Sequence, residues 1–281
     1  MNDDLSSPTD TDIHIDPATL DPATLDTAAW ERDGFLHVPG VLGPQAIAAV
    51  RSWVDDIAAR QPGERDLLQH YELTDRGPQI ARSENLVPHP GFRALIAEGA
   101  LPAMGGVLQG EPVILYKEKI NYKLVGGAGF AAHQDAPAYK FVESHLTCML
   151  AIDDATMANG CLEVVAGMYD ELLPDDGDGC IHPDVAAVLD WQPLEMAAGD
   201  LLWFHSRTPH RSARNGTDQT RRALFCTYNA AVEGDLRERY YADKVRYFVE
   251  TGASTARVST VGGFDGVAPT EEQLRTIGVQ S

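Results

Sequence analysis

The chain has few basic residues and no long hydrophobic run. It holds 22 Lys and Arg against 42 Asp and Glu in 281 residues, which gives a formal net charge of −20. An acidic surface repels phosphate backbones and anionic lipids, which argues against binding to nucleic acid or to a membrane surface. No stretch of about 18 apolar residues is present, as a membrane-spanning helix would need. The expected partner is therefore a small molecule, and the sequence leaves the oligomeric state open.

Cysteine is scarce as well. The four cysteines form no CxxC pair, and their spacing fits no zinc site. Cys148, Cys161 and Cys226 lie inside apolar runs, which is typical of buried free thiols in a reducing compartment. The first 30 residues contain no Lys or Arg, so they do not resemble a secretory signal. These features predict a cytoplasmic protein.

The glycine patterns of nucleotide-binding folds are also missing. Neither GxGxxG nor GxxxxGK[ST] occurs in the sequence, and this argues against Rossmann and P-loop folds. Another architecture must therefore carry the function.

Two regions differ in composition. Residues 1–27 are acidic and contain the pentapeptide DPATL twice, which predicts a disordered tail. The remaining residues, 28–281, are predicted to form one domain. Its first long helix is predicted at 45–60, where Ile47, Val50, Val54 and Ile57 recur at steps of three and four residues.

The second half of the chain has the pattern of β-structure. Five segments are predicted to be strands: 112–124, 146–152, 161–165, 201–205 and 222–228. A short helix is expected at 183–189 and a charged surface helix at 235–249. Many short strands with helices before and after them predict a mainly-β barrel or jelly roll with flanking helices.

The tripeptide His-x-Asp occurs three times, starting at His14, His133 and His182. A motif this short arises readily by chance, so its surroundings must decide. His14 lies in the acidic tail, where no rigid scaffold holds a ligand. His182 precedes Pro183, which is typical of a helix start.

His133 has a different setting, after a glycine-rich turn at 126–129 that follows a predicted strand. Residues i and i+2 of an extended segment face the same way, so His133 and Asp135 can hold one metal together. His210 would join them from a later strand. Two His and one carboxylate leave three positions open, which is the arrangement of non-haem Fe(II) oxygenases.

The open positions suit 2-oxoglutarate, which binds iron through its keto and C1 carboxylate oxygens. Its far carboxylate needs a cation, for which an Arg is best suited. Arg221 follows His210 by eleven residues and begins a predicted strand. Arg222 is its neighbour, and because strand side chains alternate, only one of the two can face the site. The sequence favours Arg221 and leaves the strand register open.

Five segments resemble the phytanoyl-CoA dioxygenase family of Fe(II)/2-oxoglutarate oxygenases, over about Trp30 to Phe248. They are WERDGFLHVPGVLG, AAHQDAP, NGCLEVVAGMY, GDLLWFHSRTPHRSARN and RRALFCTYN. The resemblance implies a double-stranded β-helix and an enzyme, a hydroxylase that uses Fe(II), 2-oxoglutarate and O₂. The residues that it implies are His133, Asp135 and His210 as iron ligands, Arg221 for 2-oxoglutarate, and Ser212 and Asn121 as contacts to 2-oxoglutarate or substrate. His205 lacks an Arg at the family spacing and is not expected to be a ligand.

Within the family, four stretches look most similar to members that hydroxylate phosphonates, such as 2-aminoethylphosphonate dioxygenase. They are KEKINYKL, GFAAHQDAPA, TPHRSARN and TYNAAVEGDLRERYYADK. Lys117, Lys119, Asn121 and Lys123 share one face of a predicted strand. The sequence therefore predicts a basic pocket for a small anionic or zwitterionic substrate, with contacts from Lys119, Arg207 and Arg211.

Two alternatives remain at this point. One is a hydroxylase of an amino acid or an ectoine-like solute. The other is a non-catalytic, cupin-like metal-binding sensor, which would need the metal ligands but not Arg221.

Overall fold

A computed structural model of the chain describes residues 22–60, 68–251, 264 and 266–278. The strands in this part of the chain are β1 (Phe35–Val38), β2 (Leu68–Thr74), β3 (Gly77–Glu84), β4 (Val113–Lys123), β5 (Phe130–His133), β6 (Leu146–Ala151), β7 (Leu162–Val164), β8 (Gln192–Leu194), β9 (Leu201–His205), β10 (His210–Ser212) and β11 (Arg221–Ala230). The helices are α1 (Thr27–Asp33), α2 (Pro44–Ala59), α3 (Pro90–Ile96), α4 (Ala100–Gln109), α5 (Pro183–Ala186), α6 (Arg237–Thr251) and α7 (Glu271–Thr276).

The strands form two antiparallel sheets. The larger has the order β1-β9-β6-β11-β4-β3-β2, and the smaller has the order β5-β10-β7-β8. Non-consecutive strands lie side by side in both sheets, as expected for a jelly roll. This arrangement brings segments that are far apart in sequence to the space between the sheets.

Side-chain alternation in the central strands serves two separate cores. On β6, Leu146, Cys148 and Leu150 belong to the core under the helices, while Met149 and Ala151 belong to a second core. Every residue of β6 is buried, so its sequence does not alternate between apolar and polar residues, and Thr147 is its one polar side chain.

Helices α2, α3 and α4 contribute to the first core. Gly43 precedes Pro44, the first residue of α2, and the predicted apolar face of this helix is buried. The Trp53 ring of α2 lies 5.4 Å from the Phe92 ring of α3 in an edge-on contact. These contacts fix the outer side of the larger sheet and leave its other face to the functional site.

The predicted α2 and strands are confirmed to within a few residues, and the short helix predicted at 183–189 ends earlier, at Ala186. Helix α6 exists where it was expected, but it is more than a surface helix, since Tyr241 and Lys244 are buried. The predicted tail, residues 1–27, overlaps the described part of the chain from residue 22 onwards. Leu25 packs against the core, and Asp26 Oδ1 accepts a hydrogen bond from the Ala29 N–H at the start of α1. Residues 1–21 lie outside the described part of the chain.

None of the helices in the described ranges is long and apolar enough to cross a bilayer. All four cysteines are buried, and Cys148, Cys161 and Cys226 are free thiols, as their apolar runs predicted.

Candidate metal centre

Three side chains, two from strands and one from the turn after β5, meet beside the smaller sheet. His133 ends β5 and His210 begins β10, and the two residues are direct partners in the antiparallel pair. Asp135 lies two residues beyond β5. Ligand atoms of His133, Asp135 and His210 all lie within 4.8 Å of one another, and 4.0 Å separates His133 Nε2 from Asp135 Oδ1. In the described residues, no other group of three His, Cys, Asp or Glu side chains meets this criterion.

The expectation of an extended segment at this motif is wrong, although the three residues converge. Asp135 has φ −72° and ψ −28° and precedes a turn of 3₁₀-helix at Ala136–Ala138. Gln134 stabilises this bend, because its side-chain amide donates to the carbonyl oxygens of Glu171 and Arg207 and accepts from the Leu173 N–H. The bend turns the Asp135 carboxylate back towards the two imidazoles.

Hydrogen bonds orient both imidazoles. The carbonyl oxygen of Ala131 lies 2.7 Å from His133 Nδ1, and that of Thr208 lies 3.0 Å from His210 Nδ1. A carbonyl oxygen only accepts, so each Nδ1 carries the proton and each Nε2 is left with its lone pair. Both Nε2 atoms are thereby ready to bind a metal.

Electrostatics favour the same state. Burial and the neighbouring His210 lower the pKa of His133 to about 3. Burial alone would raise the pKa of Asp135, but His210 and Lys119 outweigh it and hold that pKa below its usual value. A neutral imidazole beside an ionised carboxylate is the form that binds a divalent metal.

The other histidines considered from the sequence lie elsewhere. His182 caps α5, where its Nδ1 accepts a hydrogen bond from the Asp184 N–H. His205 packs against Tyr169, and its Nδ1 accepts from the Arg207 N–H. His14 lies outside the described residues. His182 therefore has the structural role that Pro183 predicted, and His205 is not among the grouped ligands.

A pocket adjoins the three ligands and contains a buried guanidinium. Arg221, the first residue of β11, lines it together with Ser212, Lys123 and Asn121. Arg221 Nη2 donates to the Gly160 carbonyl oxygen at 3.0 Å, while its buried Nε has no partner. Within the described ranges, no carboxylate lies within 4 Å of this guanidinium. Burial lowers the pKa of Arg221 to about 10, and the group remains charged at neutral pH.

A second cation lies beside Arg221. Lys123 Nζ donates to Ser212 Oγ at 2.7 Å. Burial and the Arg221 charge lower the pKa of Lys123 to about 7. Glu72 also lines the pocket, and one of its oxygens accepts from the Ala128 N–H. Leu162, Phe204 and Phe225 supply apolar walls. The pocket can therefore hold a short chain that ends in a carboxylate.

The register of β11 separates Arg221 from its neighbour. Arg222 faces the other side of the sheet, where its guanidinium makes two hydrogen bonds to Asp153, at 2.8 and 3.0 Å. It also donates to Asp55. Arg221 is thus the residue that faces the pocket, as the sequence favoured.

The predicted substrate contacts divide in the same way. Lys119 lines both the Arg221 pocket and a neighbouring cavity of about 240 Å³. Arg211 lies at the edge of the first pocket, but it pairs with Glu163 at 2.9 Å and stacks on Trp191. Its position between His210 and Ser212 on β10 turns it to the opposite face.

Arg207 does not reach either cavity. Its Nη1 donates to the Asp170 carbonyl oxygen at 2.9 Å, and its own carbonyl oxygen accepts from the Gln134 side chain. A contact between Arg207 and the substrate therefore stays a prediction, without support from the lining of the two cavities.

Sequence reasoning missed Arg82, Tyr240 and Lys244, which line the second cavity. Arg82 belongs to β3, whose polar sequence gave no strand pattern. Its Nε donates to Asn121 Oδ1 at 2.9 Å. Tyr240 and Lys244 belong to α6. They were not predicted to line a cavity because α6 was interpreted as a surface helix.

The sequence of this chain is similar to those of known proteins over the segments that form the site. A family model described as phytanoyl-CoA dioxygenase (PhyH) matches residues 30–223. A methylphosphonate hydroxylase of Gimesia maris is 46% identical over 242 residues, 84% of this chain and 93% of that protein. A 2-aminoethylphosphonate dioxygenase of an uncultured bacterium is 37% identical over 225 residues, 78% of this chain and 86% of that protein.

Solved structures agree in fold. The epimerase SnoN in complex with Fe³⁺, α-ketoglutarate and nogalamycin RO has a TM-score of 0.63 at 25% identity, covering 77% of this chain and 85% of that one. EctD from S. alaskensis with 2-oxoglutarate and 5-hydroxyectoine has a TM-score of 0.61 at 18% identity, covering 74% and 76%. These likenesses confirm the predicted double-stranded β-helix. The matched residues include the three grouped ligands and Arg221, and the chain belongs to the phytanoyl-CoA dioxygenase family.

Proposed function

We propose that the protein is an Fe(II)- and 2-oxoglutarate-dependent dioxygenase that hydroxylates a small phosphonate. The observation that carries the proposal is the buried Arg221, a guanidinium without a carboxylate partner in the described residues, in the same pocket as His133, Asp135 and His210. Two relatives named for phosphonates support the substrate class.

The three ligand side chains would hold Fe(II). Two neutral imidazoles and one carboxylate fit this ion and leave room for a co-substrate. When bound, the metal supplies the activation of O₂ for attack on an unactivated C–H bond. Ala131 and Thr208 keep the two imidazoles turned towards it through their carbonyl oxygens.

The co-substrate would lie between the metal and Arg221. The Arg221 guanidinium binds the far carboxylate of 2-oxoglutarate, Ser212 adds a hydroxyl, and Lys123 adds a second positive charge. Asn121, which Arg82 orients, lies on the same face of β4. The walls formed by Leu162, Phe204 and Phe225 exclude water from the chain of the co-substrate.

The alternatives are weaker. A metal-binding sensor without turnover needs the three ligands, but it has no use for a buried guanidinium beside them. A hydroxylase of an amino acid or an ectoine-like solute would use the same Arg221 pocket, so a substrate panel has to distinguish it. We also propose that the protein acts in the cytoplasm, where the buried thiols of Cys148, Cys161 and Cys226 remain reduced.

The test is succinate release in the presence of Fe(II), 2-oxoglutarate and air, with phosphonates, amino acids and compatible solutes compared. His133→Ala, Asp135→Ala and His210→Ala should each abolish metal binding or turnover. His182→Ala and His14→Ala are matched controls from the same tripeptide and should behave as wild type. Full activity of Asp135→Ala would exclude the proposed ligand set, and stimulation by an uncharged compound alone would exclude the substrate class.

A further inference from the structure

The cavity beside the three ligands is unusually rich in positive charge. It has a volume of about 240 Å³, and Lys117, Lys119, Arg82 and Lys244 line it together with His133 and Asp135. These cations come from β3, β4 and α6, so only the folded chain brings them together. The chain as a whole has a net charge of −20, which makes a cationic interior the more notable.

Two of these cations have their charge balanced by a carboxylate. Lys244 Nζ donates to Glu84 at 2.5 Å, and Arg82 Nη1 lies 3.6 Å from the same carboxylate. At the rim, Lys140 donates to Asp243 at 2.7 Å. Among the described residues that line the cavity, Lys117 and Lys119 are then the lysines without an ion-pair partner.

Lys117 and Lys119 form no ion pair within the described residues, although Asp135 and Glu84 are near enough to act on their charge, and both lysines contact aromatic rings. Lys117 Nζ lies 4.0 Å from the centroid of the Tyr139 ring and 5.6 Å from that of Tyr240. Lys119 Nζ lies 5.2 Å from the Phe225 ring. In the described part of the chain, neither ammonium has a carboxylate within 4 Å. Lys117 is only 8% exposed, and a lysine is seldom buried without a partner of opposite charge.

We propose that Lys117 and Lys119 bind the phosphonate group of the substrate, and that this cavity selects phosphonates whose organic part is uncharged. The inference rests on the proposed function and names the residues and the substrate subclass. The two lysines are alternate residues of β4 and point the same way. Burial lowers the pKa of Lys117 well below its ordinary value and that of Lys119 to about 8, so a phosphonate dianion in contact with both amines would keep them protonated. Two adjacent ammonium groups then match the two negative charges and three oxygens of a phosphonate better than the single charge of a carboxylate.

The second half of the proposal follows from the acidic groups of the cavity. Asp135 belongs to the proposed metal ligands, and Asp243 is paired with both Lys140 and Arg246. Cations already lie over three of the aromatic rings that line the cavity: Lys117 over Tyr139 and Tyr240, and Arg239 over Phe141. A substrate ammonium would therefore meet repulsion from several cations without a group to bind it.

Three ligands separate charge from size. Methylphosphonate is the small uncharged case, and n-propylphosphonate matches 2-aminoethylphosphonate in length but lacks its ammonium. Calorimetry on the wild-type protein with Fe(II) and 2-oxoglutarate, under anaerobic conditions, should show n-propylphosphonate binding at least about tenfold more tightly than 2-aminoethylphosphonate. Equal affinity of these two ligands would overturn the charge-based selectivity.

Variants test the lysines. Lys117→Met and Lys119→Met should each raise the Kd of methylphosphonate at least about 30-fold, because each removes one charge from the bound pair. Lys117→Arg, which keeps the charge, should recover part of the affinity. Lys140→Met is the matched control, since it removes a lysine that lines the same cavity but is paired with Asp243, and it should change the Kd little.

Binding of 2-oxoglutarate, measured in the same way, reports whether each variant retains the rest of the site. Wild-type affinity for methylphosphonate in both Lys117→Met and Lys119→Met would overturn the proposed subsite while leaving the proposed function in place. If no phosphonate stimulates succinate release by the wild-type protein, the proposed function fails, and the subsite fails with it.

Discussion

Arg221 and Arg222 show how much one step along a strand changes the role of a residue. Arg221 lies buried in the pocket beside the proposed metal ligands, whereas Arg222 pairs with Asp153 and Asp55 on the opposite face. Arg221→Ala should raise the KM for 2-oxoglutarate by about 30-fold to several thousandfold, since loss of one partner of a buried ionic contact costs roughly 2–5 kcal/mol. Steady-state kinetics measure this change.

Arg222→Ala is the matched control. It should lower stability and leave the KM for 2-oxoglutarate close to that of wild type, because its partners lie outside the pocket. If Arg222→Ala raised the KM for 2-oxoglutarate more than Arg221→Ala, the proposal that Arg221 binds the co-substrate would be wrong.

Lys123 predicts a pH dependence of co-substrate binding. Its pKa of about 7 is set by burial and by Arg221, which lower it, against Cys161 and Glu72, which raise it. Above about pH 7 the ammonium loses its proton, so the KM for 2-oxoglutarate should rise, by up to about tenfold per pH unit. In Lys123→Met the KM should be higher at pH 7 and independent of pH between 7 and 9. A pH profile that is unchanged by this substitution would contradict the assignment.

The lowered pKa of Lys123 also affects stability: raising the pH should weaken co-substrate binding but increase the free energy of unfolding. The unfolded chain has an ordinary lysine pKa of 10.5, so between about pH 7 and pH 10 it binds a proton that the folded chain does not. The free energy of unfolding contributed by Lys123 therefore increases with pH over this range. Denaturant unfolding of wild type and Lys123→Met at pH 7 and 9 measures it.

At the scale of elements, α6 is held to β4 by a buried ion pair. Arg237 donates to both oxygens of Glu118, whose side chain is fully buried. Arg237→Met should lower the free energy of unfolding by roughly 2–4 kcal/mol, because it leaves a buried carboxylate without its cation. The amides of Leu86 and Val87 still donate to Glu118, which limits the loss. Urea unfolding measures the change.

Arg246→Met is the control for this pair. It removes an arginine of the same helix whose side chain is 63% exposed, and surface pairs contribute little. The double variant Glu118→Gln/Arg237→Met should recover part of the stability. Equal losses from Arg237→Met and Arg246→Met would show that α6 is not anchored in this way.

The elements that the sequence did not predict correctly line the site. Strands β6, β9 and β11 were predicted because their apolar residues fill two cores. The hairpin β2–β3 was missed, since it buries the polar residues His70, Arg82 and Glu84 where the core strands bury apolar ones. Helix α6 was predicted to lie on the surface because its sequence is highly charged, but it buries one of these charged residues, Lys244. Polar residues that bind ligands remove the periodicity on which prediction of strands and helices depends.

The proposed metal ligands were predictable because their signal is local chemistry at a characteristic spacing. His133, Asp135 and His210 needed only residue type, spacing and a resemblance. Contacts such as the Glu163 partner of Arg211 depend on strand pairing between distant segments, so the sequence could not separate Arg211 from a residue that faces the substrate.

At the scale of the whole molecule, the position where the folded part starts has a measurable effect. Deletion of residues 1–21 should leave the Tm close to that of wild type, because this acidic segment has little apolar content. Deletion of residues 1–27 should lower the Tm by several degrees, since it removes Leu25 from the core and Asp26 from the start of α1. Scanning calorimetry compares the two. Equal Tm values would show that residues 22–27 do not contribute to the fold.

Because His133 pairs with His210 across two strands, a bound metal should make local opening of the smaller sheet less favourable. Strand β5 lies at one edge of that sheet, and its neighbour is β10. A metal held by both histidines would cross-link β5 and β10, so β5 could not separate from β10 without release of the ion. Hydrogen exchange of the β5 amides should therefore slow on addition of a divalent metal, in proportion to the free metal concentration over its Kd. In His210→Ala the same amides should exchange at one rate with and without metal.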